Sequence, residues 1–306
     1  MPAIHFDSAI SDDDRRRQLY AGDIFLFSPT SATKDLISVA RTMLEEAFAP
    51  HDPREIQNHL PAEKVAEILA VMKPKFIHHP ECKALIPQIL DSHGADVEKV
   101  YFDVPRLRSS YPNEYLNTGI AYAFHPHRDT WYSAPMCQLN WWLPVYPIES
   151  NNSMGFYPRY FDAPVANNSE DYNYFEWNKT RSEITKYTKH DTRIQPKPQE
   201  ALEPVTVRFL PPPGGLILFS GSQMHESVPN TTDVARYSVD FRTVHLDDVM
   251  ARRGAPNVDS RCTGTTMRDY LRASSLEHLP DEAIRLYDDG TELKSDILYF
   301  GNRLAQ

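Results

Sequence analysis

Beyond Gly94 the chain consists largely of short segments rich in β-branched and aromatic residues, and this pattern constrains the fold more than any other feature. Turns that contain Pro, Gly or Asn separate the segments, an arrangement typical of antiparallel sandwiches and barrels. The segments are residues 99–107, 115–124, 136–148, 205–210, Leu216–Ser220 and 236–244. The sequence therefore predicts a mainly β protein.

The N-terminal region has a helical pattern instead. Apolar residues recur at helical spacing over residues 33–48. A second helix is predicted over residues 61–73, with Pro74 just beyond its end, and a third over residues 81–92, with Gly94 as a natural stop. We therefore expect a group of helices to pack against the β region.

We expect all these segments to form one domain over residues 1–306. Residues 1–95 would be a helical N-terminal buttress, residues 96–245 the β core, and residues 246–306 a C-terminal part with helices at 267–278 and 281–286. A polar and aromatic stretch, residues 149–203, interrupts the core. It is too aromatic for a disordered linker and too irregular for a helix, so we expect a structured insertion, a form that loops of this length often take when they serve as lids.

Charge and cysteine content narrow the class of protein. Acidic residues number 42 and basic residues 32, for a net charge of −10, which disfavours a nucleic-acid partner. The one tight basic run, residues 15–17, follows three aspartates and suggests a solvated helix surface. Three scattered cysteines provide neither a disulfide framework nor a zinc-ribbon spacing. Without a signal-like N-terminus or a long apolar run, we expect a cytoplasmic protein with no membrane partner.

The chain contains 12 histidines, and one of them lies in the sequence His127-Arg128-Asp129 at the end of a predicted strand. Residues i and i+2 of a strand point to one face, so His127 and Asp129 can converge while Arg128 points away. An imidazole and a carboxylate are two of the three ligands of a two-His-one-carboxylate metal site. A His-x-Asp pair also arises by chance in a chain with this many histidines, so a third ligand has to be found.

His225 follows the predicted strand Leu216–Ser220 and is the expected third ligand. Arg236 and Ser238 begin the next predicted strand and share one of its faces. A guanidinium beside a hydroxyl suits a carboxylate, because two parallel charge-assisted hydrogen bonds fix the position of the anion.

Together these motifs resemble the Fe(II)/2-oxoglutarate-dependent dioxygenases, most closely the phytanoyl-CoA-hydroxylase-like branch. The residues that carry the resemblance are, in chain order, His127, Asp129, His225, Pro229, Asn230, Arg236 and Ser238. The resemblance extends from about residue 100 to residue 244. It implies a double-stranded β-helix, which is a cupin-like jelly roll of two antiparallel sheets with helices against one side.

The resemblance also implies a chemistry. His127, Asp129 and His225 would bind Fe(II), and Arg236 with Ser238 would hold the distal carboxylate of the cosubstrate 2-oxoglutarate. Dioxygen would complete the reaction, and the oxidised product would leave with succinate and CO2. Halogenating relatives have a small residue in place of the carboxylate ligand, so Asp129 disfavours halogenation.

Two amide side chains lie on a predicted strand near the motif. Gln138 and Asn140 share one face of the segment 136–148. They are candidates for contact with 2-oxoglutarate or substrate, and equally for partners of neighbouring backbone groups.

Trp131, Tyr132 and Arg242 are candidates for contact with the substrate. The two aromatic residues could line the pocket or belong to the core, and Arg242 could bind an anion or form a surface ion pair. His125 precedes His127 by two residues, but Pro126 interrupts the strand, so we do not expect His125 to be a ligand.

The aromatic and cationic side chains of residues 149–203 suit the cover of a small substrate, and equally the interface of a homodimer. We expect a small polar metabolite such as an amino acid, an amino sugar or a natural-product intermediate, which undergoes hydroxylation, desaturation or oxidative cyclisation. The alternative is a cupin-like metal-dependent isomerase or lyase, or a 2-oxoglutarate-independent oxygenase with the same ligands. Only the 2-oxoglutarate hypothesis requires Arg236 and Ser238.

Overall fold

A computed structural model of the protein describes residues 2–122, 125–179, 195–205 and 207–288. Within these residues, two β-sheets pack against each other and helices cover the outer face of the larger sheet. The strands are β1 (Ile4–Phe6), β2 (Ile24–Phe27), β3 (Val100–Phe102), β4 (Arg106–Ser110), β5 (Leu139–Pro144), β6 (Met154–Phe156), β7 (Val207–Arg208), β8 (Leu216–Ser220), β9 (His225–Ser227), β10 (Arg236–His245) and β11 (Leu271–Arg272). The helices are α1 (Asp12–Tyr20), α2 (Ser31–Phe48), α3 (Ala62–Ile77), α4 (Pro80–Ser92), α5 (Tyr174–Lys179), α6 (Leu246–Ala251) and α7 (Asp281–Arg285).

The larger sheet has the strand order β1-β2-β8-β5-β10-β3-β11, and β4 pairs with one end of β10. Its pairs are antiparallel, except for the parallel pair of β1 and β2. Successive side chains of a strand point to opposite faces. In β10, Tyr237, Val239 and Phe241 pack into the cluster that includes the helices. Arg236 and Ser238 therefore belong to the opposite, inner face.

The helical layer is formed mainly by α2, α3 and α4. One apolar cluster joins their buried faces to the outer faces of β5, β8 and β10. The helices predicted over residues 33–48 and 81–92 are confirmed as α2 and α4. The predicted end of the helix at 61–73 is wrong, because α3 continues through Pro74, where Met72 and Phe76 on either side are buried. No helix within the described ranges is both long and apolar enough to cross a membrane.

The smaller sheet has the order β7-β6-β9, and both of its pairs are antiparallel. Met154 and Phe156 of β6 pack against Trp142 of β5 and against Ile217 and Phe219 of β8. The two sheets thus lie face to face with an apolar layer between them, and the helices lie outside the larger one. This arrangement confirms the predicted fold class, a mainly β protein with a helical part and a cupin-like jelly roll. Strand β6 lies within the stretch 149–203, whose role as an insertion or lid stays a prediction.

Three predictions of secondary structure are wrong. Residues 115–122 form no strand but include the 3-10 turn Gly119–Ala121, and residues 123–124 lie outside the described part of the chain. The helix predicted over 267–278 is a 3-10 turn followed by β11. The region predicted to be helical also contributes β1 and β2 to the larger sheet. In each case the segments are two to four residues long, too short for a periodic pattern to distinguish a strand from a turn.

The basic run of α1 is also not the solvated surface that we predicted. Arg15 and Arg16 are buried. Asp248 of α6, which is fully buried, accepts hydrogen bonds from Arg16 Nη1 at 2.6 Å, from the Tyr20 hydroxyl at 2.8 Å and from Arg253 Nε at 2.5 Å. Helix α1 is therefore attached to α6 by a buried ionic cluster.

This cluster predicts the effect of one substitution on stability. Asp248→Ala should lower the free energy of unfolding by about 3 kcal/mol, because Arg16 stays buried and loses a carboxylate partner. Urea denaturation of the two proteins measures the difference. Asp247→Ala is the matched control, since the neighbouring pair of Asp247 and Lys99 is about half exposed and should contribute nothing measurable. Equal effects of the two substitutions would contradict a structural role for the cluster.

Candidate active site

His127 and His225 are held side by side by main-chain hydrogen bonds. The two residues form an isolated antiparallel bridge, in which each N–H donates to the carbonyl of the other at 2.9 Å. The smaller sheet carries His225 at the first position of β9, whereas His127 lies in an irregular segment. The centroids of the two imidazole rings are 4.4 Å apart. The backbone itself therefore determines the spacing of the two rings.

Asp129 joins the two histidines, although not from a strand as predicted. It is the first residue of the 3-10 turn Asp129–Tyr132, and its N–H donates to the carbonyl of Gly221 at 2.9 Å. Arg128 has extended backbone angles (φ −110°, ψ 142°), so the side chains on either side of it still share a face. Asp129 Oδ1 lies 3.4 Å from His127 Nε2 and 3.8 Å from His225 Nε2. All three ligand atoms lie within 4.8 Å of one another.

Both imidazoles direct Nε2 toward Asp129. His127 Nδ1 lies 2.8 Å from the carbonyl of His125, and His225 Nδ1 lies 2.9 Å from the carbonyl of Gln223. A carbonyl oxygen only accepts hydrogen bonds, so each Nδ1 carries a proton, and Nε2 is the nitrogen left to bind a metal ion. Metal-bound histidines usually have this arrangement. Two imidazole nitrogens and one carboxylate oxygen fit Fe(II), for which this donor set is typical.

The electrostatics of the cluster favour the ligand forms of these groups. Burial would raise the pKa of Asp129, but hydrogen bonding to His127, the neighbouring imidazoles and the Asn140 amide outweigh it and hold the pKa well below its usual range. Burial, reinforced by His127, lowers the pKa of His225 to about 4. At neutral pH Asp129 is therefore ionised and His225 is neutral, which are the forms that bind a metal ion.

Arg128, between the first two ligands, points away from the site. It is almost completely buried, with Nε 3.1 Å from Asp259 Oδ2 and with Nη1 donating to the carbonyl of Ser222 at 2.7 Å. It thereby attaches the metal-site segment to two other parts of the chain.

Arg236 lies on the inner face of β10, as its strand parity predicts. Its Nη1 donates to Ser238 Oγ at 2.9 Å and its Nη2 to Ser227 Oγ at 3.4 Å, while its guanidinium lies 5.6 Å from the centroid of the Trp142 ring. Burial lowers the pKa of Arg236 to about 10, so the group remains a cation at neutral pH. Its Nε is buried without a hydrogen-bond partner. Among the described residues no carboxylate lies within 4.0 Å of it, and a buried cation of this kind fits an anionic ligand.

The structure places Gln138 and Asn140 against the metal ligands. Both amides donate to Asp129 Oδ2, Gln138 Nε2 at 2.8 Å and Asn140 Nδ2 at 2.9 Å. The predicted contact of these two residues with 2-oxoglutarate or substrate stays a prediction, but their immediate partner is a carboxylate of the site itself.

Of the other predicted residues, two lie at the site and one lies beside it. The Tyr132 ring meets the His127 ring edge to face, with centroids 5.4 Å apart. Arg242 Nη1 is 2.9 Å from Asp103 Oδ2, and Arg242 Nε is 3.7 Å from Asp129 Oδ2. Trp131 is fully buried in an adjacent apolar cluster, and its Nε1 donates to Asp259 at 2.7 Å. Trp131 is thus a core residue at this position.

Sequence reasoning missed three residues that contact the site. Ser227 stands two positions after His225 and could have been found by strand parity. Asp103, the partner of Arg242, and Tyr270, whose hydroxyl donates to Gln138 Oε1 at 2.7 Å, come from distant segments. No local pattern marks either of them. His125, which we did not expect to be a ligand, is instead bonded to the Tyr122 hydroxyl and the Pro196 carbonyl.

No family model and no curated protein matches this sequence. Among solved structures, EvdO2 from Micromonospora carbonacea var. aurantiaca is 14% identical, with 78% of this chain and 92% of that chain covered and a TM-score of 0.46. EvdO2 has also been solved in complex with 2-oxoglutarate. SnoK, a non-heme alpha ketoglutarate dependent carbocyclase from nogalamycin biosynthesis, is 12% identical, with 82% and 94% covered and a TM-score of 0.39. At TM-scores below 0.5, function has to be inferred from the side chains of this chain, and the phytanoyl-CoA-hydroxylase-like branch stays a prediction.

The geometry predicts which histidines bind a divalent metal ion. His225→Gln should weaken anaerobic Fe(II) binding by more than the roughly 10- to 100-fold that loss of an outer partner costs, because a direct ligand is removed. Equilibrium titration with Fe(II), or with Co(II) as a probe, measures the affinity. His125→Gln is the control, since both of its ring nitrogens point to other groups, and it should bind the metal like the native protein. Equal affinities of all three proteins would exclude His225 as a ligand.

Proposed function

We propose that this protein is a non-haem Fe(II)/2-oxoglutarate-dependent oxygenase, an oxidoreductase that acts on a small molecule. The observation that carries the proposal is the combination of a two-His-one-carboxylate cluster with a buried arginine that has no carboxylate partner among the described residues. His127, Asp129 and His225 would hold the iron. Arg236, with Ser238 and Ser227, would hold the distal carboxylate of 2-oxoglutarate.

The distance between the two parts of the site suits a five-carbon dicarboxylate. Ser227 contacts Arg236 and lies two residues from His225 on β9. Two residues of a strand span about 7 Å, and both side chains are on the same face. A molecule that reaches from the metal ligands to Arg236 therefore needs a carboxylate at the end that meets Arg236, joined by a short chain to the group at the metal.

The residues of this chain would bind the iron, orient the cosubstrate and exclude water from the site. Iron and 2-oxoglutarate, when bound, supply the oxidative chemistry, in which O2 is consumed and succinate and CO2 leave as the substrate is oxidised. With only three protein ligands, a bound ion would keep positions for cosubstrate and oxygen. Ser238 and Ser227 accept hydrogen bonds from the two Nη atoms of Arg236 and would hold its guanidinium in place for the cosubstrate, and Tyr132 covers one side of the His127 ring.

The substrate is proposed to be a small polar metabolite, such as an amino acid, an amino sugar or a natural-product intermediate. Hydroxylation, desaturation and oxidative cyclisation remain open as outcomes, because each begins with removal of a hydrogen atom from the substrate. A cytoplasmic location, the absence of a nucleic-acid partner and a homodimer stay predictions from the sequence.

The alternative function is a cupin-like isomerase or lyase, or an oxygenase that needs no 2-oxoglutarate. The metal ligands are compatible with it, but it leaves the buried charge of Arg236 without a purpose. Binding of 2-oxoglutarate distinguishes the two functions.

The test is anaerobic addition of Fe(II) and 2-oxoglutarate to the metal-free protein. We expect a visible metal-to-ligand charge-transfer band, since the keto acid would chelate the iron. Arg236→Gln should weaken the affinity for 2-oxoglutarate by about 10- to 100-fold, which corresponds to lost hydrogen bonds to a charged group. Arg208→Gln, at the exposed position of strand β7, should leave the affinity unchanged. Absence of the band in the native protein that binds Fe(II) would favour the alternative function.

A further inference from the structure

The two oxygens of the Asp129 carboxylate have different surroundings. Oδ1 faces the Nε2 atoms of His127 and His225, at 3.4 and 3.8 Å. Oδ2 faces protein donors instead, since it accepts from Gln138 Nε2 and Asn140 Nδ2 and lies 3.7 Å from Arg242 Nε. The carboxylate is thus divided between a metal-binding side and a protein-bound side.

The orientation of the two amides follows from their partners. A carboxylate only accepts hydrogen bonds, so both amides must turn their NH2 groups toward Asp129. Gln138 Nε2 donates its second hydrogen to Asn140 Oδ1 at 2.9 Å. The Tyr270 hydroxyl donates to Gln138 Oε1 at 2.7 Å. Each amide in this hydrogen-bond network therefore has only one orientation that satisfies its partners, and Tyr270 determines the orientation of Gln138.

The network is shielded from water, so solvent cannot replace its hydrogen bonds. Gln138 is 3% exposed, Asn140 6% and Tyr270 1%. Gly221 allows the close approach, because a Cβ atom there would lie 3.2 Å from Gln138 Nε2. In a buried network of this kind, loss of one donor leaves the remaining polar atoms unpaired.

We propose that Gln138 and Asn140, oriented by Tyr270, are positioning residues that fix Asp129 as a one-oxygen metal ligand. This inference rests on the proposed function. A chelating cosubstrate and O2 together need three positions of an octahedral ion, and the three protein ligands leave three only if Asp129 binds through a single oxygen. Without the amides, Oδ2 is free to rotate toward the ion and compete with 2-oxoglutarate.

The test uses nearly isosteric variants that lack the donors. In Gln138→Met, Asn140→Leu and the double variant, we expect Fe(II) affinity to fall by about 10- to 100-fold, the usual cost of an outer partner. At saturating Fe(II), the affinity for 2-oxoglutarate, followed by the charge-transfer band, should fall as well. The double variant should lose less than the product of the single losses, because both amides serve one oxygen. Tyr270→Phe should shift both affinities in the same direction by a smaller factor.

Thr243→Val is the matched control. It removes the acceptor of the Trp141 Nε1 hydrogen bond, which is buried between β5 and β10 on the face of β5 opposite to Asn140. It should lower thermal stability and leave both affinities at native values. If the amide variants behave in the same way, the network has only a structural role and the inference is wrong. If the native protein binds Fe(II) but shows no band with 2-oxoglutarate, the proposed function fails, and the Fe(II) affinities still decide whether the amides position Asp129.

Discussion

The main-chain bridge between His127 and His225 is the constraint on which the rest of the site depends. It joins an irregular segment to the edge of the smaller sheet by two hydrogen bonds of 2.9 Å. Each ring is then fixed by a bond from Nδ1 to the carbonyl two residues earlier in its own segment. Ring spacing, ring orientation and tautomer are thus all set by backbone atoms. Side chains locked in this way are what a metal site needs in order to be preorganised.

The charges of the inner face show why Arg236 differs from its neighbours. Arg242 and Arg108 on the same side of the larger sheet have carboxylate partners, Asp103 and Asp240 respectively. Arg236 is more deeply buried and has two hydroxyl partners and a tryptophan ring instead. An unpaired buried cation is costly to a folded protein, and an anion that binds there recovers part of that cost. Arg242, by contrast, already has a carboxylate partner in Asp103.

Strand parity accounts for most of the site that could be predicted from the sequence. It places Arg236 with Ser238, and Gln138 with Asn140, on inner faces. It also brings His127 and Asp129 together, although Asp129 lies in a turn, because one extended residue between them is sufficient. Strand parity predicts the face of the sheet on which a side chain lies, but not the residue that it contacts. It could not show that both amides turn to Asp129, or that Tyr270, from a segment predicted to be helical, would orient one of them.

Long-range burial of charge is the other feature that local patterns do not contain. The alternation of Asp and Arg in α1 is typical of a solvated helix, and only the position of Asp248 in the folded chain makes Arg16 a buried partner. The same limit applies to the fold. Strands β1, β2 and β6 have three or four residues. They become strands because β2 pairs with β8, β1 pairs in turn with β2, and β6 pairs with β9. The intrinsic β-propensity of so short a segment contributes less than its pairing with a neighbouring strand in the folded protein.

The amide network and the histidine bonds together prepare the ligands before any metal ion arrives. Metal binding normally releases protons, since the ligands must be in their basic forms. Here hydrogen bonding holds the pKa of Asp129 well below its usual range, against the effect of burial, and burial lowers the pKa of His225 to about 4. At neutral pH neither of these two ligands has a proton to lose. The donors that surround Oδ2 leave only Oδ1 directed toward the histidines. One of them, the Asn140 amide, also adds to the effect of the two imidazoles in keeping the buried carboxylate ionised.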